Sequence, residues 1–111
     1  VEGQYFSTHY HPDVGSERSR KFLQNYRLRW KGKTPDALAA CGYDSVLVLA
    51  DALKRADSTD GQKVRDALAA TKDFPAVTGT ISINERRDAS KAAVILQVKD
   101  GKYKYLETVA P

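Results

Sequence analysis

The side chains with the most chemical potential cluster near the start of the chain: His9, His11 and Asp13, in the stretch HYHPD. On an extended segment alternate residues face the same side, so both imidazoles share a face with Asp13 nearby. Zinc needs three or more protein ligands in a held geometry, and a carboxylate on a loop punctuated by Pro12 and Gly15 is not held. A solvent-facing loop is the plainer reading, and no metal is expected. Cys41 is the single cysteine, so an internal disulfide is excluded. Between Ala40 and Gly42 it reads as a small buried residue, and nothing in its spacing from the histidines asks for a thiol–imidazole pair. The chain has no Gly-rich phosphate loop, no GxSxG and no HExxH. Neither catalysis nor a cofactor is expected.

A second concentration of reactive groups is basic. Arg18, Arg20, Lys21, Arg27, Arg29, Lys31 and Lys33 crowd one segment, with Tyr26 and Trp30 interleaved. Cations with aromatics are a nucleic-acid signature. Here, however, Phe22, Leu23, Tyr26 and Trp30 recur at helical spacing, so the aromatics belong to an apolar stripe and the cations to a solvated face. The net charge of +4 over 111 residues is too mild to argue for nucleic acid by itself.

The elements that carry these groups follow from pattern. Gly3 to Thr8 predicts a short strand. Ser16 is suited to cap a helix to about Lys31, stopped by Gly32. Thr34-Pro35-Asp36 opens a second helix to about Ala56. It is apolar on most faces, which predicts burial on most faces. A third helix spans about Gln62 to Thr71, with Val64 and Leu68 inward. Thr78 to Ile83 alternates as a strand, Asn84 to Ser90 forms a charged turn, and Ala93 to Lys99 is a strand. Asp100-Gly101 turns it into a partner over Lys102 to Thr108, with Tyr103 and Tyr105 on one face. The class is α/β: a strand, three helices, then a strand and a β-hairpin. The second helix demands more cover than so short a chain readily supplies. That predicts a piece of something larger or a self-associating chain. A start at Val1, with no methionine in the sequence, reads as a processed, trimmed or engineered end. No apolar run approaches the ~20 residues needed to span a bilayer.

Four stretches in order resemble the type I periplasmic solute-binding proteins, in particular the branched-chain amino-acid receptor group. They are EGQYFSTHYHPD from Glu2, PDALAACGYDSVLVLADALKRA from Pro35, VRDALAAT with FPAVTGTISIN from Val64, and AVILQVKDGKYKYLETVAP from Ala93. The resemblance implies the C-terminal portion of a protein with two α/β lobes that hold a ligand in the cleft between them. Residues 1–9 and 93–111 would belong to the second lobe and 10–92 to the first. It implies a periplasmic or extracellular receptor for an amino acid or related small organic acid or amide. Its partners would be an ABC permease and the remainder of the two-lobed protein, or a second copy of the chain, with no nucleic acid and no insertion into the membrane. Leu38 falls where the family sets an apolar side chain against the ligand, though it also reads as core at the start of a buried helix. His9 and Tyr10 would border the cleft at the crossing. The sequence departs from the family at Arg87, where a glycine is usual in the turn after Ile83. If that position takes positive φ, the arginine is strained there.

Overall fold

The computed structural model describes residues 1–111. Two small sheets lie apart, and the chain passes between them twice. The first sheet has the order β1-β5-β6, from β1 (Tyr5–Thr8), β5 (Ala93–Lys99) and β6 (Lys102–Val109), all antiparallel. Central β5 is the apolar strand AVILQVK, and its Val94 and Leu96 are buried. Phe6 opposes Leu96, which opposes Tyr105, so one face carries Phe6, Leu96, Tyr103 and Tyr105. Phe6 meets Tyr103 edge-on at 5.1 Å. Asp100 and Gly101 both take positive φ (54° and 72°), as the tight hairpin between Lys99 and Lys102 requires. The Glu2 carboxylate accepts from both of their backbone N–H groups.

The second unit packs α1 (Glu17–Arg29), α2 (Ala37–Ala56) and α3 (Gly61–Ala69) with a sheet of β2 (Phe74–Ala76), β3 (Gly79–Ile83) and β4 (Ala89–Ser90). Ser16 caps α1 by accepting from Ser19 N, and Asp36 caps α2 by accepting from Ala39 N. Asp57, left-handed at φ 48°, ends α2. Arg55 joins the helices: it pairs with Asp51 at 2.9 Å and donates to Ala67 O and Thr71 Oγ1 at the end of α3. The core forms two groups. Tyr10, Phe22, Ala40 and Val77 make one; Val48, Ala76 and Ile81 make the other, backed by Leu68 and Phe74.

Several expectations are corrected. Helix α2 buries one stripe only, Ala40, Asp44, Val48 and Ala52, spaced by four. Ala37 and Leu47 pack partly buried beside it, but Leu38, Tyr43, Val46 and Leu49 face outward, with Val46 66% exposed. Burial follows from what this chain places against the helix: Tyr10, Phe22 and Val77 at its start, and α3 with β2 and β3 further along. Trp30 is not core. It caps the helix outside its regular backbone, at φ −115°, so the stripe of Phe22 and Tyr26 ends before it. Helix α3 stops at Ala69, two residues early. Two strands escaped the pattern. β2 contains Pro75, and β4 takes the last two residues of the charged segment as a partner for Ser82 and Ile83.

Arg87 does sit in left-handed backbone, at φ 69°. Asn84 holds the turn: its Oδ1 accepts from Arg86 N and Asp88 N. A non-glycine residue pays for this conformation, and glycine does not. Arg87→Gly is expected to raise stability by about 0.5–1 kcal/mol, the relief of strain exceeding glycine's extra unfolded-state entropy. A urea melt checks it: a lower midpoint for Arg87→Gly would mean the side chain contributes more than its backbone costs.

Candidate functional site

The two passages between sheets are His9 to Ser16 and Lys91–Ala92, and they run side by side. Tyr10 turns into the helical unit directly after β1. Its ring is 4% exposed, meets Phe22 edge-on at 6.2 Å, and its hydroxyl accepts from Ser19 Oγ at 3.3 Å. Burial pushes the Tyr10 phenol above the ordinary tyrosine range, against the opposing Ser19 hydrogen bond and nearby Arg27.

Beside it lies a polar chain through the core. Asp44 is 3% exposed on the buried stripe of α2. Its Oδ1 accepts from Val77 N at 2.8 Å, and its Oδ2 accepts from Thr78 N at 2.8 Å and Thr78 Oγ1 at 2.6 Å. Lys91 Nζ, from the return passage, donates to Thr78 Oγ1 at 2.7 Å and to His9 O at 3.3 Å. One ammonium therefore joins both passages to the helical unit. Half-buried Cys41 lines the same small cleft as Asp44, Thr78 and Lys91. This network was missed in the sequence. Its signal was available: an acid at Asp44, four residues from Ala40 and from Val48, sits on a stripe that must be buried, and a buried carboxylate requires donors.

Burial pushes the Lys91 ammonium below the ordinary lysine range, outweighing the opposing pull of Cys41 and Asp44. The sign follows from linkage. With a depressed folded value, the unfolded chain holds the proton more tightly than the folded one. The Lys91 contribution to stability is therefore complete above 10.5, the ordinary lysine value, and is lost as pH falls through the folded value. The stability of wild type minus that of Lys91→Met should rise as pH approaches 10.5 from below. Subtracting the variant removes the opposite trend from Tyr10. A difference that stays flat in urea melts across this range would place Lys91 in water.

Between the first sheet and the start of α2 lies a hollow of about 530 Å³, lined by Phe6, Tyr10, Leu96 and Tyr103 together with polar Thr8, His11, Thr34, Asp36 and Lys102. A hollow between two units that mixes aromatic and aliphatic side chains with polar groups has the make-up of a small-ligand site. Of the three residues expected at the cleft, Tyr10 lines this hollow. His9 is exposed, and its carbonyl receives Lys91. Leu38 stands on the first turn of α2, 79% exposed and outside the hollow's wall. His11 stacks on Tyr105 and accepts from Asp13 N through Nδ1. No three His, Cys, Asp or Glu side chains converge where a metal could be held. Tyr43 packs its ring 4.8 Å from Phe22.

This architecture has known counterparts. The Leu/Ile/Val-binding protein homolog 1 of Brucella abortus is 34% identical over 84 residues, which is 72% of this chain and 23% of that protein. The crystal structure of a leucine-binding protein from Thermotoga maritima superposes with a TM-score of 0.87 at 38% identity, covering 100% of this chain and 32% of that one. A branched-chain amino-acid transporter substrate-binding protein of Streptococcus pneumoniae, solved with isoleucine, gives 0.83 at 33% identity over 96% of this chain and 30% of that one. The chain thus spans under a quarter of the length of the curated relatives it matches, and about a third of the solved ones. The two sheets and three helices are a fragment of that fold, and proteins of this kind are extracytoplasmic solute-binding receptors rather than enzymes. With the family's sequence pattern matched over residues 1–102, the chain belongs to the periplasmic binding protein family.

Proposed function

We propose that this chain supplies the C-terminal portion of a two-lobed receptor that captures an amino acid, or a related small organic acid or amide, and hands it to an ABC permease. Residues 1–9 and 93–111 contribute strands to the second lobe, and 10–92 contribute helices and strands to the first. The observation that carries this reading is the double passage between two separate sheets, in a chain that superposes over its whole length on a third of a leucine-binding protein. Two adjacent passages form a hinge, and closure about them shifts a population between open and closed forms. His9 and Tyr10 border the cleft at the hinge, and Leu38, outside the hollow of this chain and open to water, presents an apolar side chain to the part of the cleft that the remainder of the receptor closes. The charged ends of an amino acid need anchors, and the remainder of the receptor provides them. The isolated chain should therefore give no binding heat with leucine or isoleucine. Micromolar binding in that titration would sink this division of labour.

A second reading, self-association, is favoured by the outward apolar residues of α2, among them Val46 and Leu49. A face left in water by one copy is a face another copy can cover. On this reading the chain sediments as a dimer, and Leu49→Glu returns it to monomer. A monomer at every concentration reached by sedimentation analysis would remove it.

A further inference from the structure

The positive charge of the chain has one source. Residues 18–35 hold seven of the 18 basic side chains and none of the 14 acidic ones, so the rest of the molecule, with 11 basic and 14 acidic, is net negative. This segment is α1 and the turn behind it. Three of its cations are engaged by their own chain: Arg18 donates to Pro75 O, Arg20 to Gly15 O and Arg27 to Thr34 Oγ1. Arg29, Lys31 and Lys33 are exposed at the helix tip and pair with no carboxylate. Lys31 (φ 52°) and Gly32 (φ 81°) fold the turn back so that Gly32 N reaches Arg27 O, which sets these side chains around the end of the helix. Two apolar side chains stand among them in water: Leu28, 78% exposed, and Trp30, 52% exposed.

The helix dipole accounts for Arg27 and Arg29 in the last turn. It does not account for lysines beyond the helix, nor for a leucine and a tryptophan left outside. Cations around exposed tryptophan and leucine suit one environment, the headgroup layer of an anionic bilayer, where rings sit at the interface and ammonium groups meet phosphates. We propose that the α1 tip, Leu28 to Lys33, docks the protein on an anionic phospholipid surface. Leu28 and Trp30 enter the headgroup layer, and Arg29, Lys31 and Lys33 contact lipid phosphates. A nucleic acid fits the tip less well. Leu28 offers no stacking surface, and the Arg29 guanidinium lies 5.9 Å from the Trp30 ring centre. The contact is peripheral, made by side chains at a helix tip that reach only the headgroup layer. The negative remainder of the chain turns the tip toward the lipid.

Trp30 is the only tryptophan, so its fluorescence reports the tip directly. Vesicles containing phosphatidylglycerol should shift its emission to the blue and sediment the chain, whereas pure phosphatidylcholine vesicles should do neither. Lys31→Gly, which suits the left-handed backbone, combined with Lys33→Ala should weaken vesicle binding about 30-fold. Lys102→Ala with Lys104→Ala removes equal charge from β6 and should change binding less than about twofold. The proposal is overturned by an unshifted emission, by an equal loss in the β6 pair, or by tighter binding of a single-stranded oligonucleotide than of the anionic vesicles.

Discussion

Replacing Asp44 by alanine should cost about 3–5 kcal/mol of folding stability. The carboxylate accepts three hydrogen bonds from Val77 and Thr78, all shorter than 3 Å, at a site closed to water. Removing it leaves the Val77 and Thr78 N–H groups and the Thr78 O–H without acceptors in the core, although Thr78 Oγ1 still receives Lys91. Each stranded donor costs roughly 1–3 kcal/mol, which is why the whole loss exceeds that of an ordinary hydrogen bond. A chain of this length is stable by only about 5–15 kcal/mol, so Asp44→Ala should be largely unfolded at mild urea. Asp44→Asn keeps one acceptor oxygen but turns an amide donor toward another donor, and should fall between wild type and alanine. A loss under about 1 kcal/mol in equilibrium urea unfolding would mean that the passages are held by packing and not by this network.

Phe22→Ala should come next, at about 3–5 kcal/mol. Phe22 is the hub of the aromatic group, with ring centres of Tyr10, Tyr26 and Tyr43 at 6.2, 5.8 and 4.8 Å. Truncation opens a cavity beneath Tyr10, where the chain leaves β1, and few buried neighbours are available to refill it. Tyr10→Phe is the contrast. It removes only the hydroxyl that accepts from Ser19 and should cost about 1 kcal/mol. The same urea series measures both. If Tyr10→Phe proved the more damaging, the passage would depend on its hydrogen bond rather than on ring packing.

What could be read in advance was local. Ser16 and Asp36 announced the starts of α1 and α2 because a capping side chain acts within three residues. Asp100-Gly101 announced the hairpin because few other pairs accept two positive φ angles. The strain at Arg87 was legible from the residue type alone once the family's glycine was noted. What escaped was set over distance. Asp44 finds its donors 33 and 34 residues away, and Lys91 reaches His9 across 82. β2 and β4 are strands only because β3 lies between them: a Phe-Pro-Ala stretch and an Ala-Ser pair carry no period of their own. Trp30 kept helical spacing in sequence but fell outside the helix once the backbone turned at Lys31. The hollow lined by Tyr10 has no signature in the sequence, because Phe6 and Tyr103 in its wall come from opposite ends of the chain.

The most direct measurement replaces the matching third of the Thermotoga maritima leucine-binding protein with this chain and titrates the hybrid with leucine and a panel of small organic acids and amides, following lobe closure by small-angle scattering. The hybrid should fold as a monomer, bind one of these ligands at micromolar or lower concentration and contract on binding, and Leu38→Asp should abolish both responses. A folded hybrid that neither binds nor contracts, or an isolated chain that binds as well as the hybrid, would contradict the assignment of this chain as one part of a ligand-closing receptor.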